Sequence, residues 1–416
     1  MRQTMQQTNK QTTYQVILFI GVIIAAFNLR PAITSVGPLL GLIRDDIGFP
    51  NWGIAFLTSM PLIAFAIMSP LAPKLAHRTS NEFALVTGLF ILMIGVSLRS
   101  ISIVFFLFTG TLLIGFGIAV INVLLPGVIK GNFPTKVAIM TSLYTTSMSL
   151  FATVGSAVSI PGAEGAKLGW QIALLIWIIP AILGFLLWGI IVKKKGIKQN
   201  GPSFLQEEKR RPKIWQDGFA WMIALFMGFQ SALFYIMISW LPEMLINQGM
   251  SAVNAGFMLS LFQVVGIPVS FMMPMIAMRF VNQSKIVLIV NAIFVLGVIG
   301  FLIETNLAFT MIAVLLAGIG SSANFALSLL FLSIRAQNAE AASQLSGMAQ
   351  SIGYIIAAFG PIVIGYIFDL TNNWNDALYL VLFILLIVSF FGFKAGKNKY
   401  VLGGKDRICR IFNLFY

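Results

Sequence analysis

The sequence predicts an all-α integral membrane protein with twelve transmembrane helices in two pseudo-symmetric six-helix bundles. Three observations predict this fold class. The 416 residues are 58% hydrophobic and only 10% charged, whereas soluble domains are about 25% charged. Apolar runs of about 20 residues, long enough to cross a bilayer, recur along the whole chain. The two halves also resemble each other at one nearly constant offset.

The apolar runs predict twelve spans, which we number in chain order. They form an N-terminal bundle over 14–192 and a C-terminal bundle over 217–395, joined by a polar cytoplasmic linker, 193–216. Residues 1–13 and 396–416 are predicted as cytoplasmic tails. The first apolar run lacks the pattern of a cleaved signal peptide, so we expect it to remain as a helix. The predicted spans are 14–42, 52–75, 82–99, 102–129, 137–160, 170–192, 217–241, 252–278, 284–303, 307–333, 342–368 and 376–395.

The basic residues predict the orientation of these spans. Of the 27 lysines and arginines, all but four fall on the side of the two termini; Arg44, Arg99 and Lys167 fall on the other side, and Arg30 lies within span 1. Positive residues stay in the cytoplasm, so both termini are predicted to be cytoplasmic in an inner or cytoplasmic membrane. The net charge of +14 is therefore a topology signal, and no nucleic-acid partner is expected.

The reactive residue types give no indication of an enzyme. Cys409 is the only cysteine and His77 the only histidine, which excludes a disulfide framework and a thiol metal site. No phosphate-binding glycine loop or nucleophile–base set is found in the sequence, and we expect neither cofactor nor metal. All thirteen acidic residues map to loops, tails or span ends. If the chain carries a solute across the membrane, the lack of an acidic residue at mid-depth leaves its mode of coupling open. The alternatives are exchange, uniport, and proton coupling through the substrate or through water near Tyr144 or Tyr354.

Three sequence pairs carry the internal repeat. Spans 2 and 8 end in similar Pro-containing stretches, 69–74 and 273–279. Spans 4 and 10 each carry a Gly-x-Gly motif followed by an asparagine, Asn122 or Asn324, and spans 5 and 11 open with small polar faces. Six spans in each half keep the halves parallel. Such a repeat has its axis along the membrane normal and holds its substrate near the midplane, between the halves.

Arg30 is the residue that most strongly indicates a function. It lies near the midpoint of span 1, and no Asp or Glu is predicted at its depth. A guanidinium near the bilayer centre costs about 2.5–3.5 kcal/mol, so we predict that its partner is a solute that it binds through bidentate hydrogen bonds. Pro31 is expected to kink the helix there. In the alternative, Arg30 is structural, capping carbonyls freed by Pro31 and stacking on an aromatic ring.

Nine further residues are predicted to contribute to a central substrate site. Thr34 follows Arg30 by four residues and shares its helical face, whereas Asn28 is two residues away and points elsewhere. The others are polar side chains within spans 4, 7, 8, 10 and 11, for which interhelical hydrogen bonding is the alternative role. The full predicted set is Arg30, Asn28, Thr34, Asn122, Gln230, Tyr235, Gln263, Asn324, Gln350 and Tyr354.

The stretch Asn28-Leu29-Arg30-Pro31-Ala32-Ile33-Thr34-Ser35-Val36-Gly37-Pro38-Leu39-Leu40 resembles the cyanate and 2-nitroimidazole transporter family, a branch of the major facilitator superfamily. Residues 115–126 with Lys130, Tyr235 with 240–242, and 350–354 through 360–361 are also similar to the family pattern. The resemblance implies the superfamily fold and a small-solute carrier role without fixing the substrate. One departure is Lys74, which stands where the superfamily loop between spans 2 and 3 usually has an aspartate.

Together these features predict a secondary active or facilitative transporter. It would move a small anion or small polar heterocycle by alternating access, with Arg30 as the central ligand, and we expect a monomer in the lipid bilayer. One alternative is a broad exporter of drugs or toxic compounds, whose many aromatic residues would line a greasy cavity. Another is a membrane sensor that binds its ligand without moving it.

Overall fold

The N-terminal half is a bundle of helices in the computed structural model, which describes residues 2–48, 51–195, 214–303 and 307–403. Its first two spans are divided into shorter helices, and a π-helical turn, Pro161–Gly165, extends span 5. The helices of this half are Arg2–Phe27, Pro31–Thr34, Val36–Ile47, Asn51–Met68, Ala72–Arg78, Asn81–Arg99, Val104–Asn132, Val137–Ile160, Gly169–Leu175 and Ile178–Lys195.

The C-terminal half repeats this architecture after a short 3₁₀ turn, Ile214–Gln216. Most of the predicted linker, 196–213, and the end of the C-terminal tail, 404–416, lie outside the described residues. The helices of this half are Gly218–Asn247, Ala252–Val264, Gly266–Ala277, Ser284–Leu302, Leu307–Ile334, Ala339–Thr371 and Trp374–Ala395.

The predicted fold class is confirmed. Within the described residues there is no β-strand, and eleven stretches are long and apolar enough to cross a membrane. Helix Asn51–Met68 supplies the remaining predicted span, span 2. The largest difference in a boundary is in span 1, where the first helix begins at Arg2 rather than at the apolar run. Once a helix is nucleated it extends at low cost through residues that are not helix breakers.

Span 1 is broken at its centre. The helix ends at Phe27 and a new helix begins at Pro31. At the break the Asn28 and Leu29 amides bond to carbonyls only three residues back, at 3.1 and 3.2 Å. Proline has no N–H and suits the first position of a helix. The expected kink is therefore a complete interruption, which places Arg30 directly before the second helix.

Glycines bring helices into close contact within each half. An ideal Cβ at Gly110 would lie 2.4 Å from the Arg99 amide nitrogen, so spans 3 and 4 meet backbone to backbone. In the other half, a Cβ at Gly297 would lie 2.5 Å from the Ala317 nitrogen and would separate spans 9 and 10. Small residues allow this close approach between helices in a membrane, where packing replaces the hydrophobic effect.

The two halves meet closely at one end of the molecule, the end at which helix Arg2–Phe27 begins. Spans 2, 4 and 10 finish at this end, and span 11 starts there. A Cβ at Gly127 of span 4 would lie 2.0 Å from the Ser343 Oγ of span 11. The Ser351 hydroxyl of span 11 donates to the Ala66 carbonyl of span 2 at 2.8 Å. We call this surface the terminal-side contact. It leaves room for a cavity between the halves near their middle.

Candidate functional site

Arg30 lines a cavity between the two halves. It precedes helix Pro31–Thr34 with φ −126° and ψ −43°, outside regular helical geometry, and its side chain is half-buried. The interruption of span 1 therefore frees this residue from a helical position and turns it towards the interior. The cavity is lined by spans 1, 5, 7, 8 and 10, through Arg30, Met148, Ser149, Ala152, Thr153, Phe234, Phe262, Gln263, Ser270, Ser322 and Phe325.

The cavity is small and of mixed character. Its volume is about 50 Å³, room for a few water molecules or one compact solute. Hydroxyl groups line part of it, and two of them, those of Ser149 and Ser270, lie 3.5 Å apart across the halves. Aromatic rings line the rest. The site therefore combines one positive charge, several neutral hydrogen-bonding groups and apolar walls, the usual composition of a small-molecule site.

Two phenylalanines of the C-terminal half contact the Arg30 guanidinium. Its Cζ lies 5.2 Å from the Phe234 ring centre and 4.9 Å from that of Phe325. Both distances are within the range of cation–π attraction. In the part of the chain that the structure describes, Arg30 forms no ion pair with a carboxylate. The charge thus receives partial compensation from aromatic faces and none from an opposite charge.

Gln263 and Tyr235 lie at or near this cavity. Gln263 of span 8 is one of the lining residues. Tyr235 is half-buried, follows Phe234 directly and packs edge-on against its ring, with centroids 5.5 Å apart. These two predicted residues are therefore brought together with Arg30.

Asn28 and Thr34 hold span 1 in place instead. The Asn28 Nδ2 donates to the carbonyls of Ile24 at 2.8 Å and Pro180 at 3.0 Å, and the residue is 2% exposed. The Thr34 hydroxyl lies 2.9 Å from the Ala152 carbonyl oxygen of span 5. Neither residue is among those that line the cavity. The structure therefore places both in the packing around the interrupted helix.

Three predicted residues form a polar network across the halves. The Asn122 Nδ2 of span 4 donates to the Tyr354 hydroxyl of span 11 at 3.2 Å. The Gln350 Nε2 of span 11 donates to the Asn122 carbonyl at 3.2 Å and to the Ser346 hydroxyl at 2.8 Å. Gln350 directly precedes Ser351, whose hydroxyl contacts span 2, so this network adjoins the terminal-side contact. It joins the halves in this conformation.

Gln230 and Asn324 make hydrogen bonds inside the C-terminal half. The Gln230 Nε2 of span 7 donates to the Ser328 hydroxyl of span 10 at 3.2 Å. The Asn324 Nδ2 of span 10 donates to the Asn291 Oδ1 of span 9 at 2.8 Å. Both residues are at most 2% exposed and neither lines the cavity. For this pair the geometry is that of interhelical packing.

The prediction from sequence missed several residues at the site. The hydroxyl residues of the cavity, Ser149, Thr153, Ser270 and Ser322, give no individual signal in a chain rich in serine and threonine. The sequence predicts Arg99 at the end of span 3, on the side opposite the termini, and the structure also ends helix Asn81–Arg99 there; its burial, with 1% exposure, was not predicted. Its position directly after the largely apolar run 83–98 was the available signal.

The comparisons with known proteins agree with this architecture. The model of the Major Facilitator Superfamily matches residues 18–361. The chain is 42% identical to the uncharacterized transporter YycB of Bacillus subtilis (strain 168), over 92% of this chain and 94% of that protein. It is 36% identical to the 2-nitroimidazole transporter of Escherichia coli (strain K12), over 93% and 97%. The cyanate transport protein CynX of the same organism is 24% identical, over 86% and 91%.

Solved structures share the fold. The crystal structure of FucP, a major facilitator superfamily transporter in the outward conformation, superposes with a TM-score of 0.67 at 16% identity, covering 92% of this chain and 100% of that chain. The family match and the relatives that align over more than 90% of both chains together identify the family. The chain belongs to the major facilitator superfamily, in the branch that includes the 2-nitroimidazole and cyanate transporters.

Proposed function

We propose that this small-molecule transporter moves a small anion or small polar heterocycle by alternating access, with Arg30 as its central ligand. The observation that carries the proposal is a guanidinium that lines a cavity between the halves without a carboxylate partner in the described residues. A charge at this depth is costly. The attraction between this guanidinium and a solute that neutralises it would therefore be stronger at this depth than the same attraction in water.

Among the described residues, no atom accepts a hydrogen bond from the Arg30 guanidinium. Cation–π contacts with Phe234 and Phe325 involve the faces of their rings. The N–H donors of a guanidinium lie in its own plane and point outward as a fork. Carboxylate-like and other planar anions match this fork bidentately. The alternative role predicted for Arg30 included stacking on an aromatic ring, and the two aromatic contacts support that part of it. Stacking is compatible with anion binding by the same guanidinium.

The dimensions of the cavity favour a compact solute. A volume of about 50 Å³ is far below the several hundred Å³ of a typical drug site. The three phenylalanines of the lining are the observation that favours the alternative, a broad exporter of apolar compounds. A resistance assay against chemically diverse compounds separates the two, since a compact anion carrier protects against few of them.

The arrangement of the halves supports alternating access. They touch at the terminal-side contact and enclose the cavity near the middle, which is the geometry of a carrier closed at one end. With both termini in the cytoplasm, as the distribution of lysine and arginine indicates, this closed end faces the cytoplasm. We infer a multi-pass protein of the cell membrane that works as a monomer, because each chain contains both halves of the site.

Uptake into proteoliposomes tests the proposal, with radiolabelled cyanate and 2-nitroimidazole as probes. Arg30→Gln removes two charge-assisted hydrogen bonds of about 1.5 kcal/mol or more each, so affinity should fall at least about 150-fold. Arg30→Lys should restore little, because an ammonium has no planar fork. Arg335→Gln is the matched control, since Arg335 is also buried, at 3% exposure, but lies outside the cavity.

Two further measurements make the result decisive. If neither probe is taken up, a thermal-shift screen of small anions and azoles identifies a ligand, since binding to the native state raises the melting temperature. That shift should disappear in Arg30→Gln and persist in Arg335→Gln. Wild-type uptake or an unchanged ligand-induced shift in a well-folded Arg30→Gln protein would refute the role of Arg30.

A further inference from the structure

A second arginine of the N-terminal half is buried without a counter-charge. Arg99 is 1% exposed and forms no ion pair among the described residues. One of its amino groups donates to the Ala32 carbonyl. Among the residues that the structure describes, its Nε and its other amino group have no hydrogen-bond partner. The residue lines no part of the cavity, so no solute in that cavity can reach it.

The carbonyl that Arg99 contacts belongs to the segment that carries Arg30. Ala32 is the second residue of helix Pro31–Thr34, which starts directly after Arg30. A helix of four residues has too few internal hydrogen bonds to be stable alone. Its position must therefore be fixed by contacts from neighbouring spans.

Side chains from two other spans supply these contacts. From span 5, the Ser156 hydroxyl lies 3.2 Å from the Thr34 carbonyl oxygen, and the Ser159 hydroxyl lies 3.0 Å from the Ser35 carbonyl oxygen. From span 3, Arg99 donates to Ala32, the carbonyl nearest to Arg30 among these three. The backbone of Arg99 is packed directly against span 4, because Gly110 has no Cβ.

The energetic cost of Arg99 indicates that a neutral donor would not serve equally well. Burying an unpaired cation costs several kcal/mol, whereas a single bond to a carbonyl could come from an amide side chain at lower cost. A charged donor makes a shorter and stronger bond than a neutral one. The strong bond is placed at helix Pro31–Thr34, the shortest helix in the described part of the N-terminal half.

We propose that Arg99 is a positioning residue for Arg30: through the Ala32 carbonyl it fixes helix Pro31–Thr34, and thereby directs the Arg30 guanidinium into the cavity. The inference rests on the proposed function of Arg30 as the substrate ligand. Arg99 does not touch the substrate, and its effect is expressed only through Arg30.

The position of the Arg30 charge can be measured without any substrate. Thr153 lines the cavity, so Thr153→Cys in a Cys409→Ser background provides a reporter thiol. We compare its rates of modification by the anionic 2-sulfonatoethyl and the cationic 2-(trimethylammonium)ethyl methanethiosulfonates. A positive charge nearby speeds the first reaction and slows the second, and its loss should lower the ratio about tenfold.

A double-mutant cycle separates positioning from the direct field of Arg99. Arg99→Gln should lower the ratio nearly as far as Arg30→Gln does when Arg30 is present. In the Arg30→Gln background it should cause almost no further change. Arg99→Lys, which keeps the charge and a donor, should give an intermediate ratio. If the Arg99→Gln protein does not fold, Arg99→Lys takes its place in the cycle. Arg335→Gln should leave the ratio unchanged.

Equal fold-changes from the Arg99 substitution in both backgrounds would overturn the inference, because Arg99 would then act only through its own field or through general stability. This outcome is distinct from failure of the proposed function. If Arg30→Gln transports cyanate and 2-nitroimidazole normally, the function of Arg30 is refuted. The thiol cycle still reports whether Arg99 sets its position.

Discussion

Gly127 offers the sharpest test of how the two halves meet. A side chain at this position of span 4 would put its Cβ 2.0 Å from the Ser343 Oγ and 2.8 Å from the Ala339 carbonyl oxygen, both in span 11. The serine hydroxyl can rotate away, but the carbonyl belongs to a helix backbone and cannot. Gly127→Val should therefore be incompatible with the terminal-side contact as it stands and should push the halves apart at that end.

The size of the effect follows from the cost of overpacking. Forcing extra atoms into a well-packed contact costs about 1–3 kcal/mol. The strain falls on the conformation in which spans 4 and 11 touch, and it is released when the halves separate there. The equilibrium should therefore move towards the separated conformation by about 5-fold to 150-fold.

Alkylation of a buried thiol reports this equilibrium. Ser351 is 7% exposed and contacts span 2 across the halves, so Ser351→Cys in a Cys409→Ser background should react with N-ethylmaleimide mainly when the halves separate. Gly127→Val should accelerate the reaction by the factor given above. Gly189→Val is the matched control, because a Cβ at Gly189 meets nothing within 4 Å. A folded Gly127→Val protein that reacts at the control rate would refute the reasoning.

Two further substitutions distinguish residues that join helices from residues that bind solute. Tyr354→Phe removes the acceptor of the Asn122 bond across the halves; such bonds contribute about 0.6–2 kcal/mol, so alkylation at Ser351→Cys should rise about threefold to thirtyfold. Asn28→Ala removes two bonds to buried carbonyls and should reduce the free energy of unfolding by about 1–3 kcal/mol. Its melting temperature should fall while the affinity for the probe that the wild-type protein binds stays unchanged, and weaker affinity would contradict its structural placement.

The spans and Arg30 could be predicted from sequence because each rests on a local signal. A membrane helix is recognised from the hydrophobicity of about 20 consecutive residues, whatever the rest of the chain does. Arg30 stands out because it interrupts such a run and precedes Pro31. Pro31 predicts a kink in span 1, but the complete break between Phe27 and Pro31 could not be predicted, since Pro61 and Pro126 lie inside continuous helices.

The composition of the cavity could not be predicted in the same way. Asn122, Gln230 and Asn324 look alike in sequence, as polar amides within apolar helices. Their roles depend on which neighbour faces them, and that is fixed only by the rotation of each helix in the bundle. Ser270 and Phe325, which do line the cavity, are of types too common in this chain to be singled out. Contacts between distant spans carry this information, and local patterns do not.

The contrast between Arg30 and Arg99 shows what a buried charge does and does not indicate. Both lie in the N-terminal half, and neither pairs with a carboxylate among the described residues. The absence of a counter-charge therefore does not distinguish them. Access does, since Arg30 lines the space between the halves whereas Arg99 is 1% exposed and faces a backbone carbonyl. A solute can neutralise only the first charge. The second can act only on the protein itself, and the helix it holds is the one that carries the first.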